Sequence, residues 1–179
     1  MTDDRSTPRA DADRADAGVA DADREKIIEY LRGTFALTPL HALLGFRMIE
    51  SDEPGTVVVE MPVRPHAFNG SGNLHGGAIA TLVDVAAGSC AARASNFEPG
   101  RNTLVTADLH VRYLGRPKGD VVRAEARVMR AGRQLTVIEI RVVDPSGNVI
   151  AFADFSAMVV PRRDPLLASH SADAREPDL

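Results

Sequence analysis

Apolar positions recur along this chain at more than one spacing, and each spacing predicts an element. Between residues 23 and 36, Ile27, Ile28, Leu31 and Phe35 share one side of a 3.6-residue period, so a short amphipathic helix is expected with Asp23 as its N-cap. A further turn over residues 38–45 closes at Gly45. Two short strand candidates, residues 46–51 and 56–63, are split by DEPG, which signals a hairpin. From Gly76 to Ala94 the chain is too long for a strand and carries little polarity on any side, the pattern of a helix buried all round.

Beyond residue 102 the period changes to two. Residues 103–114, 120–130, 134–144 and 148–160 alternate, with Val122, Ala124, Ala126 and Val128 set against Arg123, Glu125 and Arg127. Turns fall at residues 115–120, 130–133 and 144–148, each with glycine and two with proline. Strands joined so closely must be largely antiparallel, and they read as a four-strand meander. A long apolar helix ahead of such a meander predicts an α+β domain, a curved antiparallel sheet wrapped around a central helix. The alanines and glycine at 78, 80, 86, 87, 88 and 91 keep that helix thin enough for close sheet packing.

Composition narrows the class. A chain of 179 residues with 44% hydrophobic and 26% charged side chains suits one soluble domain with a full core. We expect that domain over residues 23–160, between an acidic tail at 1–22 and a second tail at 161–179, both poor in apolar side chains. Residues 1–25 hold 8 acidic and 4 basic side chains, which leaves 17 of each elsewhere. That balance argues against a nucleic-acid partner. No apolar run is long enough for a membrane span or a secretory signal, and Cys90 is the only cysteine, so a reducing cytoplasmic setting is expected. His41, His66, His110 and His170 show no ligand spacing to one another, so no metal site is expected.

The chemistry concentrates in one motif, N-x5-H-G-G-x4-L-x-D, which stands here as Asn69, His75, Gly76, Gly77, Leu82 and Asp84. With the element order around it, over about residues 40–160, it resembles the hotdog-fold acyl-CoA thioesterases, and within them the PaaI-type branch of phenylacetate degradation. The resemblance implies hydrolysis of acyl-CoA to acid and coenzyme A, by a homodimer joined sheet edge to sheet edge and commonly doubled to a homotetramer. It implies no cofactor beyond the coenzyme A of the substrate. It also implies that Asp84 is the catalytic carboxylate, that Asn69, His75 and Gly76 arrange the thioester carbonyl and the water, and that Thr106 lies near the attacking water.

The residues support a composite site independently. Asp84 is eight positions beyond Gly76, about 12 Å along a helix axis, too far to serve a carbonyl held at its own helix start. A two-fold partner brings a second helix start to it, so an obligate dimer is expected. The N–H groups of Gly76 and Gly77 would stabilise charge developing on the carbonyl oxygen, and glycine permits close approach. Asp84 would act as general base on water or as a nucleophile. Within residues 101–133, 8 basic side chains outnumber 3 acidic ones. Arg112, Arg116, Lys118 and Arg133 from that set are candidates to grip phosphates of coenzyme A. Plainer readings stand beside these: a turn role for Asn69, a helix-start role for His75, an ordinary strand threonine at 106, solvated strand charges for the basic group and packing for Cys90. An acyl-CoA sensor that does not turn over, or another hotdog enzyme such as a dehydratase, are the alternative functions.

Overall fold

The computed structural model describes residues 21–49, 51 and 53–162. Two helices, α1 (Asp21–Leu37) and α2 (Pro39–Leu44), precede strands β1 (Arg47–Ile49) and β2 (Thr56–Pro62). A single 3-10 turn (Pro65–Ala67) leads to the central helix α3 (Gly76–Ala94), followed by β3 (Asn102–Tyr113), β4 (Val121–Ala131), β5 (Thr136–Val143) and β6 (Val149–Pro161). The strands form one antiparallel sheet in the order β1-β2-β4-β5-β6-β3. The α+β arrangement expected from the pattern is present, with α3 against the concave face of the sheet.

The core shows why α3 is built from small residues. Leu82, Val83, Ala86, Ala87 and Ala91 are fully enclosed, opposite Val59, Met61, Ala124, Ala126, Ile138, Ile140 and Ala153. Alanines on both surfaces let helix and sheet approach closely, while Leu82 and the isoleucines fill the space between them. Cys90 belongs to this packing, and burial pushes its thiol up to about 12, which leaves it unreactive.

Three expectations are corrected by the structure. Helix α1 starts at Asp21, so Asp23 lies inside it rather than at its N-cap. Its inward side is as expected, with Ile27 and Leu31 buried and Ile28 and Phe35 half-buried. The four-strand meander is also revised, because only β4-β5-β6 are successive neighbours and β3 pairs with β6 at the far edge. The β3–β4 connection, residues 114–120, reaches up to roughly 24 Å, whereas three strand spacings span about 14 Å. It therefore crosses the ends of β5 and β6. Strand β4, which alternates cleanly between buried and open positions, takes the sheet centre, and β3, open at Val105 through Asp108 and again at Arg112 and Tyr113, takes the edge.

The third correction concerns α3, which is not enclosed all round. Gly77 is exposed, and Thr81, Asp84, Val85 and Gly88 are half-buried along one side, the side toward α1 and the β3 edge. Of the expected tails, residues 1–20 and 163–179 lie outside the described residues, while 21–22 belong to α1 and Pro161 to β6. No described helix is long and apolar enough to cross a membrane.

Two buried carboxylates tie the sheet together away from α3. Glu60 on β2 faces Arg47 on β1 and Arg123 on β4 and is bonded to both guanidinium groups. Asp144 anchors the β5–β6 turn through Asn148 and Ser146, and binds the backbone N–H of Lys118 in the β3–β4 crossover at 2.9 Å. Hydrogen bonds from Asn148 and the Lys118 N–H hold the Asp144 carboxyl at about 2. Burial works to raise Glu60, yet the bonds from Arg123 and Arg47 outweigh it and leave it below the ordinary value.

A folded-state pKa below the unfolded one contributes stability above the unfolded value, and that contribution is lost as pH falls through the folded one. The melting temperature in a pH series is therefore expected to drop between about pH 4 and pH 2. Asp144→Asn is expected to show a shallower drop over that range. A variant profile parallel to the wild type would remove Asp144 from this role.

Candidate active site

Asp84 projects from the open side of α3 half-way along the helix, and a second element comes to meet it. Thr106 on β3 donates its hydroxyl to Asp84 Oδ1 at 3.0 Å. The strand register shifts between Thr106 and Asp108, so a β-bulge at Ala107 sits immediately beside the threonine. Bulges of this kind re-aim side chains next to functional sites. With Oδ1 engaged, Oδ2 has no protein partner among the described residues and is available to a water or an acyl carbon. The pair stands on the wall of a cavity of about 710 Å3.

The start of α3 is organised separately. His75 is the N-cap, and its Nδ1 accepts the Gly77 N–H at 2.8 Å. An accepting Nδ1 on a neutral ring places the proton on Nε2, so the exposed ring presents an N–H donor outward. The same bond engages the Gly77 amide, which revises the expectation that both glycine amides face substrate. Among the described residues the Gly76 N–H has no partner. Its neighbouring carbonyl receives the Tyr113 hydroxyl at 3.0 Å. The Gly76–Gly77 peptide is thus held at both ends, by Tyr113 and by His75, with the Gly76 amide left open at the positive end of α3.

Asn69 is placed as a loop anchor. Its Oδ1 accepts from the Ser71 N–H, the Ser71 hydroxyl and the Asn73 N–H, closing the loop that precedes the helix. The turn reading of this residue therefore describes its carbonyl end. The His75 N–H bonds the Ala67 carbonyl, which fixes where that loop enters α3.

The basic candidates are not gathered into one site. Arg112 pairs with Asp154 at 3.1 Å across β3 and β6, with both side chains about half exposed. Arg116 and Lys118 lie in the crossover before β4, and Arg133 lies in the turn after it. Eleven residues of β4 separate those ends by about 35 Å, so one chain cannot bring all of them to one phosphate group. Among the described residues, no three His, Cys, Asp or Glu side chains are placed to hold a metal ion.

Tyr113 is the site residue that sequence reasoning missed. A tyrosine at the end of an edge strand carries no motif, and only the fold brings its hydroxyl to Gly76. A Cβ at position 76 would lie 3.3 Å from the Tyr113 ring, close enough that a larger residue there would press the phenol outward by a few tenths of an ångström.

Residues 71–151 match the family model described as the thioesterase superfamily. Human acyl-coenzyme A thioesterase 13 is 31% identical over 111 residues, covering 61% of this chain and 76% of that protein. A Halobacterium salinarum protein named "Putative esterase VNG_1336C" is 37% identical over 116 residues, covering 62% of this chain and 76% of its own length. The E. coli PaaI protein from the phenylacetic acid degradation operon superposes with a TM-score of 0.66 over 77% of this chain and 96% of that one, at 23% identity, a likeness of fold. The match to relatives above 30% identity over most of their length, together with the shared architecture, establishes that this chain belongs to the thioesterase superfamily and carries its hotdog fold.

Proposed function

We propose that the protein hydrolyses acyl-CoA thioesters, with Asp84 of one protomer acting on a carbonyl held at the start of α3 of its partner. The observation that carries this reading is the Asp84–Thr106 pair on the open side of α3. Asp84 Oδ2 accepts a proton from water, and the water oxygen bonds to the thioester carbon. Negative charge gathers on the carbonyl oxygen, where the partner's helix start supplies the Gly76 N–H and the outward Nε2–H of His75. The carbon–sulfur bond then breaks, and the proton on Asp84 passes to the departing coenzyme A sulfur. Asp84 as nucleophile is the rival step. A single turnover in oxygen-18 water that labels Asp84 would favour it.

Pairing of two copies is supported by the fold as well as by the family resemblance. Strand β3 is a 12-residue sheet edge, and Val105, Tyr113 and Met158 stand exposed along it and its neighbour. Long edges of this kind ordinarily acquire a partner or a cover. A homodimer joined there, itself able to pair into a homotetramer, is the assembly we propose. Arg116 and Lys118, on exposed loops, remain the basic side chains proposed to meet phosphates of coenzyme A. The mechanism calls on no metal or redox cofactor, so activity is expected to survive EDTA.

Thiol release from a panel of acyl-CoA esters tests the function, and the enclosed Cys90 adds no background to it. Release from no ester at all would leave the sensor reading in its place. Thr106→Val is expected to lower kcat about tenfold with an unchanged melting temperature. An unchanged kcat would return Thr106 to the role of an ordinary strand residue.

A further inference from the structure

The cavity beside Asp84 and Thr106 runs between α1, α3 and the start of β3. On α3 its wall passes from Asp84 to Gly88 to Ala92, one helical turn at each step. Across from them stand Leu31 and Phe35 of α1 and Leu104 of β3. A Cβ built on Gly88 meets no atom within 4 Å, so the glycine opens directly onto empty space. Glycine in the middle of a long helix is otherwise a poor choice. His41, also on the wall, has a pKa lowered by burial and so adds no charge at neutral pH.

We infer that this cavity takes the acyl chain of the thioester, that it suits a linear chain of medium length, and that the missing side chain at Gly88 keeps the passage open. The inference rests on the acyl-CoA reading above. From Asp84 to Ala92 the wall extends about 12 Å, the length of an extended chain of roughly eight to ten carbons. Leu31, Phe35, Val85, Ala92, Phe97 and Leu104 give methylene groups an apolar surface to cover, and Thr34, Ser89, Asn102, Thr103 and Arg162 stand on the same wall as polar positions. Helix α1 contributes part of the wall, which assigns that helix a share in substrate selection.

The experiment compares wild type, Gly88→Ala and Gly88→Leu, each as the full chain, on saturated esters from acetyl-CoA to palmitoyl-CoA. Wild-type kcat/KM is expected to peak at octanoyl- or decanoyl-CoA. The ratio of kcat/KM for decanoyl-CoA to that for butyryl-CoA is expected to fall about 30-fold in Gly88→Leu, with Gly88→Ala between. A ratio in a folded Gly88→Leu within about threefold of wild type overturns the inference, because it would place the chain elsewhere. Direct titration with decanoate needs no turnover and separates the two readings. Wild type is expected to bind it about tenfold more tightly than Gly88→Leu, and equal affinity also overturns the inference. Failure to release thiol from any ester, by contrast, sinks the acyl-CoA reading while the titration still decides what the cavity holds.

Discussion

Asp84→Ala is expected to reduce kcat/KM by about a thousandfold on every ester the protein cleaves, equivalent to about 4 kcal/mol of transition-state stabilisation. The fold should survive, because Asp84 is only half-buried and Thr106, the side chain that bonds it among the described residues, is itself exposed. No buried donor is left unpaired by its removal, so the melting temperature should move little. Asp84→Asn is the sharper variant. It keeps the size of the side chain and an oxygen for Thr106, but it cannot take a proton from water. Loss in Asn equal to that in Ala would assign the effect to basicity or nucleophilicity rather than to shape. Retention of more than a tenth of the activity in either variant would remove the carboxylate from the chemistry.

Mixing two inactive variants should restore activity. In a composite site, Asp84 comes from one protomer and His75 with Gly76 from the other, so Asp84→Ala and His75→Ala homodimers are each defective at both of their sites. A mixed dimer has one site carrying both defects and one carrying neither. Random reassortment makes half of the dimers mixed, so unfolding and refolding the two together should return about a quarter of wild-type activity, against near none for either alone. The size of this rise is what makes it informative. A site contained within one chain gives no recovery, since every chain keeps its own defect. Absence of recovery, in a mixture shown to contain mixed dimers, would eliminate the shared site and return Asp84 to its own helix start, some 12 Å away along the axis.

Much of the fold was legible because it depends on period. The helix at Gly76–Ala94 and the alternation of β4 are local patterns, and each element formed within a few residues of its expected span. Strand order was not legible in the same way. Alternation tells a strand which side faces the core but not which neighbour it pairs with. The excursion of β3 to the far edge followed from the reach of residues 114–120 and from competition for the sheet centre. The openness of one side of α3 was equally hidden, because alanine, glycine and valine are as compatible with an internal wall as with a surface awaiting a second chain.

For the candidate site the division runs between identity and geometry. By itself the amino-acid order determined that a histidine and two glycines stand at the start of one helix and a carboxylate half-way along it, since spacing along a helix converts directly into distance. It also named Thr106, although only by resemblance. Tertiary structure alone decided that Thr106 bonds Asp84, that Tyr113 and His75 clamp the Gly76–Gly77 peptide, that Arg133 lies far from Arg116 and Lys118, and that a cavity opens at Gly88. Such contacts join residues distant in the chain, and no local period encodes them; they exist only once the sheet has curved around α3 and brought an edge strand over it.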